Sequence, residues 1–165
     1  MLTTSADTGA AFTGTEKGDV FKVGETLISS GYYDVDGSGE PDTFVNQYTS
    51  HLNSLDVLDG GAGKDTLNVE TEGAIATVTA NISNIETINL KSGSTVTFDT
   101  TTYTGVETLN VTKATTSATL DAAATTDVNV SGITTGAVSV ESEKNVNVTV
   151  ADTGTNTTIT LTAGV

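Results

Sequence analysis

From Asp65 onward one five-residue pattern returns at nearly even intervals. Asp65-Thr66-Leu67-Asn68-Val69, Glu86-Thr87-Ile88-Asn89-Leu90, Glu107-Thr108-Leu109-Asn110-Val111, Thr126-Asp127-Val128-Asn129-Val130 and Lys144-Asn145-Val146-Asn147-Val148 all read x-polar-apolar-Asn-apolar, with asparagines 21, 21, 19 and 18 residues apart. A unit this short cannot bury its own apolar face and must stack on its neighbours. The parallel β-helix does so by pairing each coil's strand with the same strand of the next. A leucine-rich repeat has a similar length but requires more leucine than this chain carries. Side chains alternate across a strand, so Leu67 and Val69 are expected to fill a core while Thr66 and Asn68 face outward. Coils about 4.8 Å apart would then bring Asn68, Asn89, Asn110, Asn129 and Asn147 into an amide ladder.

A second strand is expected within each coil, at residues 74–79, 94–98, 118–120, 137–140 and 157–161. Corners such as residues 81–86 and 103–107 link successive coils. Thr, Val, Asn, Ser and Gly dominate and Pro41 is the only proline, which gives an all-β protein, a β-solenoid. The one helical candidate is Thr43 to Leu58, where Phe44, Val45, Tyr48, Leu52, Leu55 and Leu58 fall mainly three and four apart.

The segment Gly60-Gly61-Ala62-Gly63-Lys64-Asp65-Thr66-Leu67-Asn68 fits the calcium nonapeptide G-G-x-G-x-D-x-U-x at every specified position. Its glycines tolerate the turned backbone that aims carbonyl oxygens inward, Asp65 supplies a hard anionic oxygen and Leu67 starts a buried strand. Gly14-Thr15-Glu16-Lys17-Gly18-Asp19-Val20-Phe21 is a degraded copy, and a site of this type needs two turns stacked, so Asp19 is expected against Asp65. That pairing makes about residues 22–57 an insertion between consecutive coils. Residues 1–64 then read as a calcium-binding coil with its insertion, continuous with β-helix repeats over 65–165. Within the insertion, Asp34, Asp36 and Ser38 occupy positions one, three and five of an EF-hand-like loop, with Gly39 at six. Position twelve is Val45, so the remaining ligand is expected from Asp42, Glu40 or a neighbouring loop, and Asp56 and Asp59 are placed to complete either site. The expected metal ligands are therefore Asp34, Asp36, Ser38, Glu40, Asp42, Asp19, Asp56, Asp59, Gly61, Gly63 and Asp65, with Ca2+ as the cofactor.

Twenty-one acidic against six basic residues give a net charge of −15, which argues against nucleic acid as a partner and favours neutralisation by divalent cations. The chain has no cysteine, so metal must do the stapling that disulfides do elsewhere. No run approaches the roughly 18 apolar residues of a membrane span, and membrane insertion is not expected. Met1-Leu2-Thr3-Thr4 lacks the basic start and apolar stretch of a secretory signal, so an export signal is expected outside this stretch. Thr162-Ala163-Gly164-Val165 follows a strand-like segment without a polar cap, as expected of a piece of a longer repetitive protein.

Taken with Phe12-Thr13-Gly14-Thr15, residues 55–69 and the later Glu-Thr-apolar-Asn-apolar repeats, the nonapeptide resembles those of repeats-in-toxin-related surface-layer and adhesin proteins that Gram-negative bacteria export by type I secretion. The resemblance implies a right-handed parallel β-helix at the bacterial cell surface that folds in calcium and assembles with copies of itself. Carbohydrate binding through the outward Asn rows is the competing reading, with cell-surface polysaccharide as the partner. One full nonapeptide, where toxin regions carry many, favours the surface-layer type over a toxin or protease.

Other functions find less support. No cysteine excludes thiol chemistry, the lone His51 has no evident partner for a nucleophilic triad and is expected at the surface, and the chain has no arginine. No enzyme activity is expected. Ice binding needs an evenly spaced threonine row, and Thr79, Thr97 and Thr119 are 18 and 22 apart.

Overall fold

A computed structural model describes residues 1–2, 5, 8, 12–33, 43–142, 144–150 and 158–162. β1 (Val20–Val23) opens the solenoid, and β2 (Glu25–Tyr33) and β3 (Thr43–Ser50) leave it as an antiparallel hairpin. The chain returns through β4 (Val57–Asp59) and β5 (Thr66–Thr71). Successive coils then supply β6 (Asn81–Ser83), β7 (Thr87–Ser92) and β8 (Val96–Asp99), followed by β9 (Thr108–Ala114) and β10 (Ala118–Asp121). β11 (Asp127–Ile133), β12 (Val138–Glu141), β13 (Val146–Val150) and β14 (Ile159–Thr162) complete the stack.

One face is a six-stranded sheet, β1-β5-β7-β9-β11-β13, and a second is the four-stranded β8-β10-β12-β14; every pair in both is parallel. A short third face pairs β4 with β6, also parallel. The chain is thus a parallel β-solenoid, and its register is the one the repeat dictates. Leu67, Ile88, Leu109 and Val128 stack in one buried column, and Val69, Leu90, Val111 and Val130 in the next. Val96, Ala118 and Val138, with Phe98, Leu120 and Val140, fill the core from the second sheet.

The outward asparagines form the expected ladder. Asn89 donates to Asn68, Asn110 to Asn89, Asn129 to Asn110 and Asn147 to Asn129, each from Nδ2 to Oδ1 at 2.8 to 2.9 Å. An amide suits this position because it carries both a donor and an acceptor, so one residue type satisfies itself from coil to coil.

Two expectations are corrected. The helix over Thr43 to Leu58 does not form: residues 43–50 are β3, paired with β2, and Leu52 and Leu58 are buried while Leu55 is exposed, so no single helical face exists. Thr, Phe, Val and Tyr favour an extended chain once a partner strand is present, and that partner outweighs the three-and-four spacing. The strand expected over 74–79 shrinks to a single bridge between Ile75 and Val96.

Candidate functional site

The nonapeptide turn lies directly on its degraded copy. Gly14 N donates to Asp59 O at 2.6 Å, Ala62 N to Thr15 O at 3.0 Å and Thr66 N to Asp19 O at 2.9 Å, so residues 14–19 and 60–65 run in register. The turns are packed too closely for side chains: a Cβ at Gly60 would lie 1.7 Å from Asn84 O, and one at Gly14 1.9 Å from Gly60 O. Gly61 and Gly63 adopt φ of +84° and +127°, which L residues rarely reach.

Asp65 sits at the end of the turn, 1% exposed. Its Oδ1 accepts from Asp19 N at 2.6 Å, and its own N–H donates to Glu86 Oε2 at 2.8 Å, whereas its buried Oδ2 has no hydrogen-bond partner. A buried carboxylate oxygen without a donor is costly, and a cation satisfies it. Asp19 is held by its own turn, its Oδ2 accepting from Thr15 N at 2.6 Å and Thr15 Oγ1 at 2.9 Å. Asp59 flanks the turn. Its Oδ1 accepts from Asn84 Nδ2 at 2.7 Å and Gly61 N at 3.0 Å, and these bonds hold its carboxyl below the usual range, the Asn84 bond most. Asp59 therefore keeps its charge to lower pH than an ordinary aspartate does.

The fold thus brings Asp19, Asp59, Gly61, Gly63 and Asp65 to one pair of turns. Asp56 lies at the far end of β4, buried, with its carboxylate accepting from Asn53 N and Nδ2 at 2.9 and 3.0 Å. Asp34, Asp36, Ser38, Glu40 and Asp42 lie outside the described residues. Among the described residues no three His, Asp or Glu side chains form a metal-binding group, so a cation here would draw on Asp65 together with backbone carbonyls of the paired turns. Hard oxygen donors of this kind suit calcium.

Sequence reasoning missed Glu86, whose carboxylate caps the Asp65 amide; its alignment with Asp65 in the repeat was the available signal. It also missed why, among the described residues, the turn occurs only twice. In the next coils the six-residue turn contracts to Asn84-Ile85-Glu86 and Gly105-Val106-Glu107, and fully buried Ile85 and 3%-exposed Val106 plug the corner with an apolar side chain.

A second acidic feature lies on the four-stranded sheet, where Asp99, Asp121 and Glu141 stand in register. Burial, then the neighbouring Asp99 and Glu141 charges, push the Asp121 carboxyl up. A carboxyl raised on folding lets the native state hold its proton better than the unfolded chain does, so its ionisation destabilises the fold as pH rises just above the ordinary Asp range. Asp121→Asn should accordingly raise the melting temperature at neutral pH and lose that advantage in acid; thermal melts at both pH values check it.

His51 is half-buried at the hairpin base and not fully at the surface: its Nε2 meets Thr26 Oγ1 at 2.7 Å. No protein-family model, curated protein or solved structure matches this chain.

Proposed function

We propose that this chain is a calcium-stabilised extracellular structural module that assembles with copies of itself into a surface layer, lattice or fibre. The observation that carries the reading is the buried, partnerless Oδ2 of Asp65 between two stacked glycine turns. A net charge of −15 supports it, because bridging cations relieve the self-repulsion of such a surface. Calcium at this position locks the first coil onto the second. Downstream coils, closed by Ile85 and Val106, hold without it.

A second reading, a glycan-binding adhesin module, is favoured by one feature. A groove of about 740 Å3 lies at the N-terminal end of the ladder, lined by Lys22, Asn68, Glu70, Asn89 and Lys91 among others, and offers two of the ladder amides and both charges to sugar hydroxyls. A glycan array separates the two.

Calcium that binds only the native state stabilises it by about 2.7 kcal/mol at a hundredfold excess over Kd. Adding millimolar calcium to chelator-treated protein should therefore raise the melting temperature, and Asp65→Asn, which keeps an acceptor but loses the charge, should abolish the rise. An identical melt in calcium and chelator sinks the proposal.

A further inference from the structure

We propose that the outer face of the six-stranded sheet, where the amide ladder meets Lys22, binds the carboxylate of an acidic sugar, a uronic acid within a polysaccharide, between the Lys22 ammonium and the donor end of Asn68. The inference rests on the glycan-binding reading above and gives its groove a ligand class.

The ladder has a direction. Each asparagine from Asn89 to Asn147 donates its Nδ2 to the Oδ1 of the coil before it, so every amide in the row finds an acceptor there except the first. At Asn68 the register partner on β1 is Lys22, a side chain with three donors and no acceptor. The row thus stops at Lys22 by choice of residue. Asn68 Nδ2 donates to no described residue, and Lys22 enters no ion pair among the described residues, whereas Lys64, Lys91 and Lys144 all do. Both side chains line the same groove. Donors on neighbouring strands of one face, one of them charged and neither with an acceptor, suit an anion with two oxygens to share.

The surrounding charge has the matching sign. Strands β1, β5, β7 and β9 carry Lys22, Lys91 and Lys113 against Glu70 alone, three positive charges to one negative on a chain whose net charge is −15. Glu70 is already bonded to Lys91, and Lys91 is the register partner of Lys113. Like charges directly opposite one another destabilise a sheet, and an anion bound over this face relieves them. The neighbouring groups indicate what carries the anion. Asn89 keeps a second N–H beyond the one it gives to the ladder, and the exposed Thr112 hydroxyl can still accept, so the groove offers neutral partners for sugar hydroxyls beside its cation. A densely anionic partner such as nucleic acid is repelled by the rest of the chain. Widely spaced carboxylates, as in a polysaccharide with uronate in its repeat, meet the local charge without that penalty.

Isothermal titration calorimetry of the intact chain tests the site, run in millimolar calcium so that the first coil stays in place, with trigalacturonate, its methyl ester and sodium acetate as probes. The acid should bind, bind less well as salt rises, and lose about tenfold or more in affinity on esterification. Lys22→Asn removes the ammonium and gives Asn68 an acceptor, so it should weaken binding by a similar factor without lowering the melting temperature. Lys22→Met, which keeps the length and loses the charge, should show the same loss. Lys144→Asn makes the same change in net charge at the far end of the ladder and should bind as wild type. An ester held as tightly as the acid, or Lys22 variants that match wild type, overturns the carboxylate site and leaves glycan binding standing. Acetate that displaces the trisaccharide at equal concentration overturns the assignment to a sugar. If neither form of the trisaccharide binds, this site is overturned, whereas only a blank glycan array removes the wider reading.

Discussion

Val130→Asp unfolds the coils on both sides of it. Val130 is 1% exposed, stacked between Val111 and Val148, and the columns around it are apolar. An unpaired carboxylate there costs on the order of 4 kcal/mol, a large share of the roughly 5–15 kcal/mol that holds a domain together. Coils in a solenoid stabilise one another only through their neighbours, so the damage spreads along the stack. Circular dichroism and urea unfolding should show lost strand signal and an early transition. Ser131→Asp, one residue on and exposed, should change little. Retained strand content in Val130→Asp with an unchanged urea midpoint would mean that the inward and outward faces are exchanged.

Gly60→Ala is the second large effect. The added methyl would stand 1.7 Å from Asn84 O and 2.9 Å from Asp65 Cβ, and the closer obstacle is backbone of the next coil, which cannot rotate away. Overpacking that moves backbone costs about 3 kcal/mol or more, or roughly 10 °C in melting temperature for a chain of this size. Gly73→Ala is the internal control. Its nearest neighbours are the Glu25 and Tyr48 side chains at 3.4 Å, which yield more readily, and calorimetry should find it near wild type.

These two positions also mark what the sequence makes legible. The core columns follow from a two-residue alternation repeated at a fixed length, and a one-residue error would have inverted every coil, so Leu67, Val69 and their counterparts are strongly determined. The amide ladder follows from the same register. The stacking of 14–19 on 60–65 was readable because both segments keep the first glycine, the aspartate and the apolar residue that starts the strand. The hairpin was not readable: β3 carries apolar residues at helix-like spacing, and only its pairing with β2, a tertiary fact, decides it. Glu86 escaped for a similar reason. Its bond to the Asp65 amide crosses from one coil to the next, and the pattern aligned the two residues without showing that they touch.

The central claim is that calcium locks the first two coils together and leaves the rest alone. Amide hydrogen exchange, followed residue by residue in chelator and in millimolar calcium, tests it most directly. The amides of Asp19, Ala62 and Thr66, which cross the paired turns, should slow markedly on adding calcium, while those of β9 to β12 should not change. Asp65→Asn should leave all of them indifferent to calcium. Equal exchange at Asp19, Ala62 and Thr66 in the two conditions would contradict the account.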